Sequence, residues 1–179
     1  MIKLITIDSQ IWIYYLDGNA VENPNIISHL DGKNNDGIIF NEKILLNSII
    51  PLEVAHNFFR NEEINVEKAY EILTSTFRSQ NLEIKEISIT IMEIAIKLVA
   101  KNRKKGIIGR DALILAIMEQ EQVDTIVTHN KNILRLKNLR RIDPVFNPPL
   151  LFETGEEFHP DSFKKQMQDV QTQNDKNNQ

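Results

Sequence analysis

Ile5-Thr6-Ile7-Asp8-Ser9, running without a break into Gln10-Ile11-Trp12-Ile13-Tyr14-Tyr15-Leu16, is the stretch that decides the fold. Ile2 to Ile7 predicts a short buried strand, and Ser9 to Leu16 an aromatic-rich helix. A strand feeding directly into a helix is the first half of a βαβ unit. Asp8 stands at that junction. Two further carboxylates stand beside apolar segments in the same way: Glu53 in Ile49-Ile50-Pro51-Leu52-Glu53-Val54, and Asp111 in Gly109-Arg110-Asp111-Ala112-Leu113-Ile114. A fourth polar cluster, Thr128-His129-Asn130-Lys131-Asn132, closes the apolar run Thr125-Ile126-Val127.

The rest of the chain repeats the alternation. Residues 17 to 47 are rich in Asn, Asp and Gly; they predict loops with one short helix around Ile26 to Leu30 and a weak strand near Lys43 to Asn47. Pro51 suits the first residue of a helix, with Glu53 in its first turn. Val66 to Ser79 has helical spacing, and Leu82 to Ile87 alternates apolar and charged residues as a half-exposed strand does. Ser88 is placed to cap a helix from Thr90 to about Lys104 that Gly106 ends. Asp111 opens a very apolar helix, Ala112 to Met118; then come a strand, Asp124 to Thr128, and a short helix, Ile133 to Leu136. Arg141 to Val145 predicts a last strand, with Pro144 marking a sheet edge. The fold class is therefore α/β, with a mostly parallel sheet covered on both faces. Residues 1–146 form the expected domain. Residues 147–179 are a polar tail, expected to be largely disordered after about 160, with Leu150 to Phe152 and Phe158 as the anchors that hold its start.

Composition narrows the chemistry. The sequence has 179 residues and no cysteine, which excludes disulfides, thiolate zinc sites and cysteine nucleophiles. Four scattered histidines argue against a histidine-rich zinc centre. Lys3, Asp8 and Asp17 interrupt the apolar amino terminus well short of a membrane span, so a cytoplasmic protein with no membrane partner is expected. The net charge of −4 argues against nonspecific coating of nucleic acid, while leaving room for local basic patches.

In an open α/β sheet, ligands gather outside the carboxyl ends of the strands, where the residues around 8, 53, 111 and 128 all fall on this reading. Carboxylates brought together repel: at about 4 Å and an effective dielectric near 20, one like-charge pair costs roughly 4 kcal/mol before screening. A divalent cation with oxygen ligands resolves the conflict, and a hard ion such as Mg²⁺ or Mn²⁺ suits these donors. Each residue also has a plainer role. Asp8 can cap the following helix, and Glu53 and Asp111 are favoured at helix starts by the macrodipole. Asn130 and Asn132 are common turn residues, Thr128 ends a strand, and His129 reads as a solvated loop residue. Lys101 to Lys105 reads as a solvated helix end, with RNA contact as its less ordinary role.

At these residues the sequence resembles a known family. Asp8-Ser9 after the first strand, Pro51-Leu52-Glu53-Val54, Arg110-Asp111-Ala112-Leu113-Ile114-Leu115-Ala116 and Val127-Thr128-His129-Asn130-Lys131-Asn132 look like the four ordered motifs of PIN-domain ribonucleases, over about Ile2 to Val145. The resemblance implies a Rossmann-like, three-layer αβα sandwich, Mg²⁺ or Mn²⁺ dependence, and hydrolysis of single-stranded RNA. Small stand-alone members in prokaryotes are often VapC-type toxins paired with an antitoxin. Carried over position by position, Asp8, Glu53 and Asp111 are the metal-binding acids, with Asn130 completing the catalytic set. Ser9, Arg110, Thr128, His129 and Lys131 are the expected substrate contacts. The fullest form of the fourth motif carries two aspartates where this chain has Asn130 and Asn132, which implies weaker metal binding and one well-held ion. A homodimer is expected from the resemblance and from the aromatic surplus near the amino terminus.

Two other functions compete with the ribonuclease. One is a weakened or inactive PIN-like module that binds RNA or a protein partner without cutting, motivated by the two asparagines and the tail. The other is a phosphate-accepting receiver domain, which needs paired acids after the first strand; Asp8-Ser9 lacks the pair.

Overall fold

The structure is a computed structural model that describes residues 4–33, 36–60 and 65–160. The predicted first two residues of the opening strand and the tail from 161 onward lie outside the described residues. Strand β1 (Leu4–Ile7) leads through Asp8 into α1 (Ser9–Leu16), as the opening stretch predicts. Next come α2 (Asn23–Leu30) and α3 (Ile38–Asn41), the second of which the sequence reading treats as loop. β2 (Lys43–Asn47), α4 (Ile49–Phe59), α5 (Val66–Phe77) and β3 (Leu82–Lys85) follow. The chain then runs through α6 (Ile89–Asn102), a 3-10 turn at Arg103–Lys105, α7 (Gly109–Gln120), β4 (Thr125–Val127), α8 (Lys131–Leu134), β5 (Arg140–Asp143) and β6 (Leu150–Phe152).

The sheet order is β3-β2-β1-β4-β5-β6, parallel throughout except that β6 runs antiparallel to β5. From β1 the chain steps outward through β2 to β3, then crosses back to β4 on the other side of β1. Right-handed crossovers place helices on opposite faces for the two directions of travel. One layer holds α1, α2, α4 and α5, which pack on one another, and the other holds the close pair α6 and α7. The architecture is an αβα sandwich of three layers.

Two expectations need correcting. The stretch read as a weak strand is an interior one: Ile44, Leu45 and Leu46 of β2 are fully buried between β1 and β3. Pro144 does not mark the sheet edge, because β6 pairs outside β5. Leu150 and Phe152 of β6 pack on the core and Phe158 is buried in it, as their anchoring role predicts. Arg141 ties this region down from below. Its guanidinium is completely buried and donates to the carbonyls of Leu134, Glu153 and Glu156. No helix among the described residues is long and apolar enough to cross a membrane.

Candidate active site

The strand order reverses between β1 and β4, and at such a switch point two loops leave the sheet in opposite directions and open a crevice at the carboxyl ends. Asp8 follows β1 and Thr128 follows β4, so both stand at the mouth of that crevice. The backbone fastens them there: Asp8 N donates to Val127 O at 2.9 Å, and Thr128 N donates to Ile142 O at 2.8 Å.

The other acids arrive on helices. The amide oxygen of Asn47, at the end of β2, accepts from the backbone N–H groups of Ile49 and Ile50 at 3.1 and 3.2 Å. That capping starts α4 two residues before Pro51, so Glu53 lies a turn inside the helix instead of in its opening turn. Asp111 is in the first turn of α7, and its Oδ2 accepts from the N–H of Ile108 at 3.3 Å. Gly106 takes φ 79° to release the chain from the preceding 3-10 turn. A Cβ there would press on the Asn132 side chain at 3.0 Å, and Asn132 Nδ2 donates to the Gly106 carbonyl at 2.9 Å.

These elements converge on one cavity of about 190 Å³. Asp8, Ser9, Glu53, Arg110, Asp111 and Asn130 line it, so six residues expected from the sequence share one pocket. Gln10, Ile13 and Ile114 complete the lining. The sequence reading passes over these three, although Gln10 lies two residues beyond Asp8 and Ile114 one turn beyond Asp111.

Asp8 is 5% exposed, and Thr128 Oγ1 donates to its Oδ2 at 2.7 Å. Burial pushes the Asp8 carboxyl up to about 6; the Thr128 hydroxyl opposes this, and the charges of Asp111 and Glu53 add to it. Asp111 is also held above its ordinary value, chiefly by burial, against the Ile108 N–H and the charge of Arg110. Glu53 is met by Arg110, whose Nη1 donates to Oε1 at 2.8 Å. Thr128 does double duty, because its hydroxyl oxygen also accepts from Asn130 N at 3.0 Å.

Asn130 is oriented by its neighbours. Its Oδ1 accepts from Asn132 N at 2.9 Å, capping α8, so its Nδ2 faces Asp111 Oδ1 at 3.0 Å. A backbone N–H can only donate, so the amide cannot flip without losing that cap. Asn130 therefore presents a donor to the pocket and steadies Asp111.

His129 and Lys131 are not among the residues that line the cavity. The expectation of a solvated His129 is corrected by burial: the ring is 9% exposed and its Nδ1 lies 2.8 Å from Asp143 Oδ2. Tyr14 and Phe146 pack around it, and Asp143 is fully buried. Asp143 is absent from the sequence-derived candidates because nothing in Arg141-Ile142-Asp143-Pro144 signals a partner fourteen residues back. Lys131 opens α8 on the exposed side.

The donors suit a hard divalent cation: they are carboxylates, and Asp8 and Asp111 are destabilised as anions by burial and by the charge of neighbouring acids. Yet among the described residues no three acidic or imidazole groups are gathered closely enough to cage an ion as they stand. Asp8 and Asp111 carry oxygen donors suited to such an ion, and Glu53 lines the same cavity while paired with Arg110.

The family model for the PIN domain matches residues 5–139. Among solved structures, VapBC2 from Rickettsia felis, bound to a DNA fragment from its promoter, is similar at 21% identity over 77% of this chain and 96% of that one, with a TM-score of 0.56. FitAcB from Neisseria gonorrhoeae is similar at 17% identity over 78% and 97%, with a TM-score of 0.57. VapC20 of Mycobacterium tuberculosis, described as a sarcin–ricin loop cleaving toxin, is similar at 11% identity over 68% and 86%, with a TM-score of 0.56. At these identities the likeness concerns the fold. No curated protein matches the sequence.

Proposed function

This chain belongs to the PIN-domain family, and from that premise we propose that it is a cytoplasmic, metal-dependent endoribonuclease that hydrolyses phosphodiester bonds of single-stranded RNA. The observation that carries the reading is the meeting of Asp8, Glu53 and Asp111, from three separate segments, in one cavity at the switch point of the sheet.

Asp8 and Asp111 would hold Mg²⁺ or Mn²⁺, with Glu53 as the third acid. When bound, such an ion would supply charge neutralisation at the phosphate and favour ionisation of the attacking water. The protein's own work is positioning. Thr128 favours the ionised form of Asp8 and orients it by donating to it, and Asn130 does the same for Asp111. Ser9 and Gln10 line the entrance from the first turn of α1 and can donate to phosphate oxygens. Arg110, 63% exposed in its side chain, supplies a guanidinium suited to bidentate phosphate contact. Lys131 extends the positive charge onto α8. His129 contributes from the interior by bracing the turn between Thr128 and Asn130 against Asp143.

The similar solved structures include toxin–antitoxin complexes, which supports an antitoxin as partner and a toxin role for this chain. A homodimer is part of the same reading. The decisive experiment is cleavage of a labelled single-stranded RNA by the purified chain in Mg²⁺ or Mn²⁺, with Asp8→Asn as control. Cleavage lost in the variant supports the proposal. A chain that cuts nothing in either metal establishes the competing reading, a PIN-like module that binds without cutting. One observation favours that competitor: the Asn130 oxygen is committed to capping α8 and adds no ligand to the pocket. Expression that halts growth, relieved by a small protein encoded alongside, checks the toxin role; harmless expression removes it.

A further inference from the structure

A second and larger cavity, about 640 Å³, runs along α7 from the 3-10 turn to the residues that lead into β4 and β5. Its walls are the carboxyl-terminal end of α6 with the 3-10 turn on one side, and residues 135–139 on the other; Leu115 and Met118 of α7 form an apolar floor. Six charged side chains line it, and four of them are basic: Lys101, Lys105, Arg135 and Lys137. This balance is opposite to that of the chain as a whole, whose net charge is −4. Lys137 pairs with Glu157. Lys101, Lys105 and Arg135 form no ion pair with any described residue. Three cations without an internal counter-ion around one concavity, against the two acids Glu119 and Asp124 in its lining, leave it able to accept an anion from outside.

The cleft and the acidic pocket share their elements. Asp111 and Ile114 of α7 line the pocket while Leu115 and Met118 line the cleft. Asn130 lines the pocket while Arg135, just past α8, lines the cleft. The two cavities thus share α7 and the α8 region as walls, and the cleft runs on from there toward the residues that lead into β4 and β5. The hydrogen bond from Asn132 to Gly106 joins α8 to the end of the 3-10 turn beside Lys105 and holds the two basic walls in register. A groove of positive charge that tracks the backbone is the general means of holding a single strand.

We propose that this cleft binds the continuation of a single-stranded RNA beyond the acidic pocket, with Lys101, Lys105 and Arg135 holding successive phosphates. The proposal rests on the ribonuclease reading for the direction of the strand and on the cleft's own charge for its binding. It gives the basic run after α6 a function that the catalytic constellation leaves unassigned, and it makes affinity depend on strand length.

The test uses the full chain and the triple variant Lys101→Ala/Lys105→Ala/Arg135→Ala, with binding followed by fluorescence anisotropy in EDTA. For a labelled RNA of about a dozen nucleotides, the variant is expected to lose affinity about tenfold, and the slope of log affinity against log salt to fall by about 2, since each phosphate contact on a single strand contributes about 0.7. Metal-dependent cleavage of a tetranucleotide by the same variant is expected to be unchanged. Unaltered affinity and slope for the longer strand overturn the proposal, as does a wild-type chain that binds no RNA in EDTA. So does displacement of the RNA by an acidic peptide at equal charge, which would make the cleft a protein-docking face. If RNA of neither length is cut in Mg²⁺ or Mn²⁺ while binding of the longer strand still depends on the three cations, the ribonuclease reading fails and the cleft stands.

Discussion

Arg110 spans the mouth of the acidic pocket and donates from Nη1 to Glu53 Oε1 at 2.8 Å, so one carboxylate of the constellation carries a counter-ion supplied by the chain itself. Any ion drawing on Glu53 competes with that guanidinium.

Arg110→Ala is accordingly expected to tighten Mn²⁺ binding, measured by calorimetry, while weakening RNA binding. The pair is largely exposed on the arginine side, so the gain is set at about two- to fivefold, the yield of an exposed ion pair. Weaker Mn²⁺ binding in this variant would mean that Arg110 organises the acids instead of competing for one.

The elevated Asp8 carboxyl sets a pH dependence. Its folded value of about 6 lies above its ordinary 3.8, so the folded chain keeps a proton that the unfolded chain releases between these limits. From this group stability is fully present below about pH 4 and is lost as pH rises through about 6, a decline on the order of 3 kcal/mol. Without metal, Asp8→Asn is expected to melt several degrees above wild type at pH 7, with the difference vanishing near pH 4. Mn²⁺ should raise the melting temperature of wild type and leave the variant unmoved. A variant that melts lower than wild type at neutral pH would contradict this.

Thr128→Val removes the hydroxyl that donates to Asp8 Oδ2. A hydrogen bond to an ionised group contributes roughly 1.5–3 kcal/mol, so the pH midpoint of Mn²⁺ binding is expected to move up by about one to two units. A midpoint that stays put would show that the hydroxyl serves only Asn130 N.

Asn130→Asp places a second carboxylate where Nδ2 now donates to Asp111 at 3.0 Å. Without metal the chain should melt lower through like-charge repulsion, and with metal it should bind Mn²⁺ more tightly, on the order of tenfold or ~1.4 kcal/mol. Opposite movement of the two readouts identifies Asp111 as part of the ion site; parallel loss would assign Asn130 a purely structural place.

Asp8, Glu53, Asp111 and Asn130 were legible because each carboxylate or amide interrupts or borders an apolar run, and the topology delivers such borders to one rim. The strand–helix junction at Asp8 was legible for the same reason, down to both ends of α1. What the sequence concealed depended on partners remote along the chain. Ile44-Leu45-Leu46 is apolar without period, since a strand buried on both faces needs no alternation, and it passed as weak. Pro51 suggested a helix start, but Asn47 caps two residues earlier with its side chain, a choice no propensity encodes. His129 looked like a solvated turn residue; Asp143, Tyr14 and Phe146 draw it inside.

The buried guanidinium of Arg141 has a consequence for how this polypeptide can be shortened or fused. Two of its three carbonyl acceptors belong to Glu153 and Glu156, beyond the last parallel strand. A product ending before them would leave a cation stranded in the interior, a loss of about 3–5 kcal/mol when buried charges lose their partners. Carboxyl-terminal deletions that remove Glu153 and Glu156 are therefore expected to destabilise the fold, and a truncation at 149 should yield insoluble material.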